Sequence, residues 1–443
     1  MITYSIIQKS QLEGALRLDA EYYQPKYLEL IENINKLGAI PIREVVVNPK
    51  RKFKPQEGVV FQYIEISEID LSTGEYNKRE ILGEDAPDRA QWIIGQNDIV
   101  ISTVRPIRSA TSLIKEDTKN LVCSSGFAVL RTEKIEPEYL FIYLKSWPIV
   151  KLLDRKTTAT MYPAITVDDI LNTKIYLGDE RFREEIKNNV VEAQKKLENS
   201  KDLYSQAENL LLEELGLKDF KCKDYLFSII NLSDVKKANR VDAEYFQVKF
   251  NFLLSKVKTQ KLGNLVLIKK GFEPGSEAYR ESGKLFIRVS SVSEEGIIDK
   301  DQKYLSSELY QKLKNDFEPK IGEILLTKDA TPGIAYVVKE MIEGIICGGI
   351  LKLKTKENIE PEFLTLCINS IIGKSQVERD AGGSVIVHWK PEQIKNLQIP
   401  ILPKVTQEKI ADLVQKSHEA RKKAKQLLEE AKQKVEKLIE KPW

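Results

Sequence analysis

Two stretches of this chain carry apolar or small residues at alternating spacings of four and three. In the first, residues 181–215, they are Ile186, Val190, Ala193, Leu197, Tyr204, Ala207 and Leu211. In the second, residues 406–439, they are Ile410, Val414, Ala424, Leu428, Ala431, Val435 and Leu438. That alternation is the heptad signature of a helix with one apolar seam. Neither stretch contains proline, and the first meets no glycine before Gly216. A helix of about 35 residues at 1.5 Å per residue spans roughly 50 Å, longer than a small domain needs for cover. The pattern predicts two long helices packed on each other as an antiparallel coiled coil. The alternative is two separate amphipathic helices, each covering its own domain. In mid-seam the second stretch has Arg421 where the first has Leu197, which interrupts the apolar register.

Ahead of each stretch the pattern changes. Short β-type runs such as Asp98-Ile99-Val100-Ile101-Ser102-Thr103 and Gly322-Glu323-Ile324-Leu325-Leu326-Thr327 are punctuated by Gly and Pro, as strands and turns require. Apolar helical segments lie between them, for example Tyr139-Leu140-Phe141-Ile142-Tyr143-Leu144 after Pro137. Each globular part therefore reads as α+β with an irregular, mostly antiparallel sheet.

The chain is also written twice. Arg17-Leu18-Asp19-Ala20-Glu21-Tyr22-Tyr23-Gln24 returns as Arg240-Val241-Asp242-Ala243-Glu244-Tyr245-Phe246-Gln247. Tyr4-Ser5-Ile6-Ile7 returns as Phe227-Ser228-Ile229-Ile230, and Ile135-Glu136-Pro137-Glu138-Tyr139-Leu140 as Ile359-Glu360-Pro361-Glu362-Phe363-Leu364. Two similar domains, each followed by a long helix, make a pseudo-two-fold molecule, and duplex DNA is a two-fold partner. Plain gene duplication without a symmetric ligand is the alternative.

Composition narrows the class. With 443 residues, 42% hydrophobic and 30% charged, the chain affords ordinary cores and two to four domains. No run of 18 apolar residues and no signal-peptide pattern at Met1-Ile2-Thr3-Tyr4 are present, so a cytoplasmic protein is expected. Cys123, Cys222, Cys347 and Cys367 are scattered and form no zinc or disulfide pattern. A net charge of +3 confines any nucleic-acid surface to a local patch.

Catalytic patterns are missing. The two histidines are His388 and His418. His418 falls in the second heptad helix and is expected to be surface-exposed there; the position matching His388 in the first copy is Ala164. Gly373-Lys374-Ser375 lacks the first glycine of a phosphate loop, since Ile368 stands there. No dinucleotide fingerprint and no Asn-Pro-Pro-aromatic or Asp-Pro-Pro-aromatic tetrapeptide occurs. Neither a catalytic nor a metal site is expected, which favours a binding protein.

Three places offer a grip on DNA. Lys50-Arg51-Lys52-Phe53-Lys54 follows Pro49, and Lys269-Lys270 lies at a similar early place in the second copy. Lys50, Arg51, Lys52, Lys54, Lys269 and Lys270 are candidate phosphate contacts, a solvated basic loop being the alternative. Arg105 and Arg108 follow the strand ending at Thr103, and Lys328 occupies the corresponding strand end. Similar scaffolds with different tips suit two readers of different sequences, and an Arg takes a guanine edge bidentately. The third place is the polar segment Arg155, Lys156, Thr158, Thr160 and Tyr162, matched by Arg379 and Ser384 and leading on to His388. Small-residue loops permit close backbone approach to phosphate, although ordinary connecting loops look the same.

Taken together, the Asp-Ala-Glu-Tyr-aromatic segments at 19–23 and 242–246, the two Ile-Glu-Pro-Glu-aromatic-Leu segments, the late loops leading to Thr166-Val167-Asp168-Asp169-Ile170 and Lys390-Pro391-Glu392-Gln393-Ile394, and the paired helices resemble the specificity subunit of type I restriction–modification enzymes. The likeness extends over nearly the whole chain. It implies target recognition domains at residues 1–180 and 217–404, the second with its lead-in linker, and conserved spacer helices at residues 181–216 and 405–443. Each recognition domain would read one half of a split double-stranded DNA site. The helices would fix the spacer and dock two modification (methyltransferase) subunits, and restriction subunits with translocase and nuclease activity would join them. S-adenosylmethionine and ATP with Mg would bind those partners, and no cofactor would bind this chain. The competing reading is a coiled-coil protein-interaction scaffold without sequence-specific DNA binding.

Overall fold

A computed structural model describes residues 4–10, 12, 17–158, 161–218, 227–250, 257–298, 302–356, 358–381 and 387–440. The chain divides into two compact units, residues 1–197 with 422–443, and residues 198–421. The boundary cuts both long helices, so the units do not follow the divisions at 181 and 405 expected from sequence. The reason lies in the seam, because each helix contributes about half of its buried stripe to each unit.

In the first unit, helix α1 (Pro25–Lys36) leads into strands β1 (Ile40–Pro41), β2 (Val46–Val47), β3 (Val60–Ile64), β4 (Arg79–Leu82), β5 (Ala90–Ile93), β6 (Asp98–Ser102), β7 (Thr111–Leu113), β8 (Leu121–Ser124) and β9 (Phe127–Thr132). Helices α2 (Pro137–Lys145), α3 (Trp147–Asp154) and α4 (Val167–Leu171), strand β10 (Lys174–Ile175) and the long helix α5 (Glu180–Glu214) follow. One four-stranded sheet has the order β2-β9-β6-β7, all antiparallel; the other has the order β4-β3-β8-β5, with β3 and β8 parallel. Helix α2 begins with Pro137, whose absent N–H is no loss in a first turn, and its residues Glu138–Leu144 are all buried.

The second unit carries β11 (Thr259–Lys261), pairs the short strands β14 (Val292–Ser293) and β15 (Gly296–Ile297), and repeats the first sheet as β12-β20-β17-β18, formed by β12 (Val266–Lys270), β17 (Ile324–Thr327), β18 (Ala335–Val337) and β20 (Ile350–Thr355). The registers match, with Val100 facing Val129 in one copy and Ile324 facing Leu353 in the other. Its second sheet, β16-β13-β19, joins β13 (Lys284–Ile287), β16 (Lys303–Leu305) and β19 (Gly344–Ile346), and keeps a parallel pair, β13 and β19. The copies diverge at its edge. Where the first has strand β5, the second has helix α6 (Ser307–Phe317), which packs Leu309, Tyr310, Leu313 and Phe317 onto Phe286 and Ile345. Helices α7 (Pro361–Asn369), α8 (Ile371–Asp380) and α9 (Pro391–Lys395) precede α10 (Lys404–Glu440).

In the first unit, Ile186, Val190, Ala193 and Leu197 of α5 share a core with Ala424, Leu428, Ala431, Val435 and Ile439 of α10. In the second, Ala207 and Leu211 share a core with Ile410 and Val414, and Tyr204 packs half-buried against it. As α5 advances from Glu185 to Ser200, its partner in α10 retreats from Lys434 (2.6 Å) to Ser417 (3.1 Å), so the pairing is antiparallel. Leu438, expected in the seam, is half-buried, and Ile439 is fully buried instead. A straight α-helix drifts by about 20° per heptad, and by the last turn the seam has moved on one residue. Ser200, Ser417 and Arg421 also occupy buried seam positions. The Ser417 hydroxyl donates to the Ser200 carbonyl at 2.7 Å, and the Arg421 guanidinium lies 3.5 Å from Glu295. His418, expected on the surface, is half-buried with its ring edge-on to Tyr336 at 5.9 Å. No described helix is long and apolar enough to cross a membrane.

Candidate nucleic-acid interface

The most strongly repeated segment builds a clasp. Arg17 donates from Nε and a terminal nitrogen to both Asp19 oxygens at 2.7 Å, lies over the Tyr22 ring at 4.7 Å, and reaches the Thr157 carbonyl at 3.2 Å. Arg240 does the same with Asp242 (2.8 and 2.6 Å), Tyr245 (4.7 Å) and the Asp380 carbonyl (3.4 Å). The bidentate fork holds each carboxyl below its usual range and raises its arginine. The hydroxyl of Ser5 donates to the Tyr23 carbonyl and that of Ser228 to the Phe246 carbonyl, fastening the segment before it. The second repeated segment anchors each long helix. Glu136 accepts from Arg183 at 3.0 Å, Glu360 pairs with Lys404, and the Glu360 N–H donates to Gln407. Glu138 accepts from Lys115 at 2.9 Å, and Glu362 pairs with Lys339.

On this scaffold the structure joins two of the candidate segments. The Arg105 N–H donates to the Pro163 carbonyl at 2.7 Å, and the Ile165 N–H donates to the Thr103 carbonyl at 2.9 Å. Arg105 and Ser109 both take positive φ (50° and 54°) and bracket a tight turn, Pro106–Arg108, that leaves Arg108 exposed. The Arg105 guanidinium lies 5.8 Å from the Tyr162 ring centroid. Tyr162 is 68% exposed and Met161 beside it 78%, a large apolar surface next to a cation. Thr158 is exposed and bridges to Ala164. Thr160 and Ser384 lie outside the described residues.

The second copy repeats the junction with other chemistry. The Ala330 N–H donates to the Val387 carbonyl and the Trp389 N–H to the Lys328 carbonyl, both at 2.9 Å. Positive φ recurs at Ala330 (59°) and Gly333 (92°). The tip carries Asp329, with His388 Nδ1 2.8 Å from its Oδ1 and Lys328 paired to Oδ2. Against the penalty of burial, hydrogen bonds from Lys328 and His388 hold the Asp329 carboxyl below its usual range. Asp329 was invisible as a site residue in the sequence, since its partner His388 is far along the chain and matches an alanine in the first copy.

Several candidate cations are instead engaged within the fold. Arg155 stacks 3.7 Å from the Tyr22 ring centroid and donates to the Tyr22 carbonyl, and burial pushes its pKa down. Lys156 donates to the Asp169 carbonyl at 2.8 Å, and burial lowers its pKa too. Arg379 holds Asp380 at 2.7 Å. Arg51 pairs with Asp98, which also accepts from Arg131 Nε and the Gly95 N–H, both at 2.8 Å. Lys269 and Lys270 lie on strand β12, not in a loop, and Lys269 pairs with Asp316 at 2.6 Å. Lys50, Lys52, Lys54 and Lys270 are exposed.

The structure does not gather the exposed candidates into one cluster in the first copy. Arg51 is tied to Asp98 at the first residue of β6, whereas Arg105 lies beyond its last. Four residue steps along the strand separate those ends by about 13 Å. Among the described residues no group of three or more His, Cys, Asp or Glu is placed to hold a metal ion. Burial pushes the Cys123 and Cys367 thiols far above the range in which a thiolate forms at neutral pH.

Comparison with known proteins follows the same line. Residues 254–433 match the model of the type I restriction modification DNA specificity domain. No curated protein matches the chain. Among solved structures, the chain is similar to the HsdS subunit from Thermoanaerobacter tengcongensis at 22% identity, covering 90% of this chain and 95% of that one, with a TM-score of 0.33. It is similar to the S subunit of a type I restriction-modification system from M. genitalium at 15% identity, covering 91% and 94%, with a TM-score of 0.38. It is also similar to a chain from a structure of complex assembly and conformational transition of the type I R-M system, at 20% identity, covering 91% and 97%, with a TM-score of 0.35. The likeness to the type I restriction modification DNA specificity domain is carried by residues 254–433.

Proposed function

We propose that this chain is the specificity subunit of a type I restriction–modification complex and reads a bipartite double-stranded DNA target, one half-site per copy. The observation that carries this reading is the repeated junction between the strand-end loop and the following polar segment. Its backbone is alike in both copies, but its tip holds Arg105 and Tyr162 in one and Asp329 and His388 in the other. Arg presents paired donors to the acceptors of guanine, whereas a carboxylate accepts from cytosine or adenine amino groups. Two such tips read different bases. Lys50, Lys52 and Lys54 supply phosphate contacts that position the duplex without reading it.

In this reading α5 and α10 fix the spacer between half-sites and present the surface on which two modification subunits dock, restriction subunits joining that core. S-adenosylmethionine and ATP with Mg belong to those partners, while this chain supplies address and spacing and performs no bond-making step. Selection from random duplex DNA with the tagged chain, purified with the partners it retains, tests the proposal. Two unlike short motifs at a fixed separation support it. DNA retained without any motif, or no DNA retained alongside partner proteins, refutes it, the latter in favour of a coiled-coil scaffold.

A further inference from the structure

At the end of β6 remote from the Arg105 tip, the first unit holds an open cavity of about 720 Å³. Its lining comes from the turn Gly95–Asn97, from residues 117–119 between β7 and β8, and from Arg51 and Arg131. Three cations, Arg51, Lys119 and Arg131, meet there. The acids nearby are Asp98, which both arginines share, and Asp117 on the lining. Positive charge is therefore in excess. Two donors on the lining, Arg51 Nε and Thr118 Oγ1, are buried without a hydrogen-bond partner. An unmet buried donor is destabilising, and an anion satisfies such donors while balancing the excess charge.

The fold does not demand this cluster. Asp98 faces Arg131 two residues out from the Val100–Val129 pair of β6 and β9. The same step from the Ile324–Leu353 pair in the second copy leads to Gly322 and Thr355. There a single acid, Glu323, accepts from the Lys320 N–H at 2.8 Å and faces Lys352 at 3.4 Å, so the second copy closes the same sheet end with one cation where the first holds two arginines.

We infer that this cavity binds a phosphate-type anion, held by Arg51, Arg131 and Lys119 with a hydrogen bond from the Thr118 hydroxyl. The anion is supplied either by a DNA backbone phosphate or by a small free phosphate. The inference does not depend on base reading by the loop tips.

Equilibrium dialysis of the full chain against radiolabelled inorganic phosphate, with chloride holding ionic strength constant, tests it. Saturable binding is expected, weakened about tenfold by Lys119→Glu and several-fold by Thr118→Val, and tightened by Asp117→Asn. Asp117 and Lys119 are exposed and Thr118→Val keeps the shape of its side chain, so the variants keep the fold. Unsaturable binding, or equal affinity in the Lys119→Glu and wild-type chains, overturns the inference. Adding a short duplex of arbitrary sequence separates the sources. Displacement of the label assigns the site to backbone phosphate and retention assigns it to a free anion, and either result upholds an anion site.

Discussion

Replacing Asp98 by Asn removes one charge from the first unit while keeping the shape of the side chain. Asp98 is fully buried at the start of β6. Its Oδ2 accepts from Arg51 and the Gly95 N–H, and its Oδ1 accepts from Arg131 Nε. Asparagine offers a single acceptor. If that oxygen serves Arg51 and Gly95, the amide NH2 faces the Arg131 donor, and turning it over exchanges the loss. At least one charge-assisted hydrogen bond is lost, worth about 1.5–3 kcal/mol. Breaking a buried ion pair costs up to about 3–5 kcal/mol, but two terms reduce that here. The arginine side chains are 33% and 40% exposed and can turn to water, and the carboxylate no longer needs to be desolvated. A net loss of about 2 kcal/mol follows, or a factor of about thirty in a local opening equilibrium. Hydrogen exchange of peptides spanning β6 and β9 reads that factor directly, without assuming that a chain of two units unfolds in one step. Protection reduced less than twofold would show that the triad contributes nothing to holding β6, and the reasoning from its geometry would fail.

Three further outcomes are expected. Arg105→Ala relaxes recognition in one half-site, by about 1–3 kcal/mol at one base pair, whereas Lys52→Ala weakens binding across all sequences and reduces the slope of log affinity against log salt by about one; binding selections and salt titrations distinguish them, and equal loss at both half-sites after Arg105→Ala breaks the assignment of one copy to one half-site. Ile439→Ala destabilises the first unit by about 2 kcal/mol or more and Leu438→Ala by well under that, checked by hydrogen exchange in α5; the reverse order would place the seam at Leu438, where the sequence pattern put it. Burial pushes the Lys145 ammonium down to about 8 from 10.5, so between those values the unfolded chain holds the extra proton and stability rises with pH. Relative to Lys145→Met, the wild type therefore gains up to about 1.4 kcal/mol per pH unit from about pH 8 upward, measured by urea unfolding at several pH values; a flat difference would show that this lysine is not desolvated.

What the sequence made legible follows the range of the physics. Periodicity is local, so α5 and α10 begin and end within two residues of the bounds read from the seam, and β6 and β17 lie where the apolar runs place them. Ion pairing is not local. Arg51 meets Asp98 and Lys269 meets Asp316 across 47 residues each, and nothing in the intervening sequence marks them. The polar segment after α3 offered Arg155 and Lys156 as contacts for DNA, yet both turn inward because Tyr22 and the Asp169 carbonyl await them. Conversely, in Arg17-x-Asp19 and Arg240-x-Asp242, the plainest repeated words, the two charges pair with each other in half-buried clasps. The Ser200–Ser417 contact was hidden because a seam search looks for apolar residues, and small hydroxyls that satisfy each other fill the same space.

The division of each long helix between two compact units carries a consequence for how the protein is made. The first unit takes residues 422–443 into its core beside Ile186 and Val190, and Trp147 hydrogen-bonds Glu436 and Glu440 across almost three hundred residues of chain. At about 5–20 residues per second of synthesis, the apolar stripe ending at Leu197 waits roughly 10 to 45 seconds before Lys422 is joined. Until then a nascent chain carries an uncovered apolar face, and a chain broken between Leu197 and Lys422 never covers it with α10. Synthesis of the last part of α10 thereby becomes a condition for burial, and products broken before it are left marked for chaperones and proteases by the stripe they could not hide.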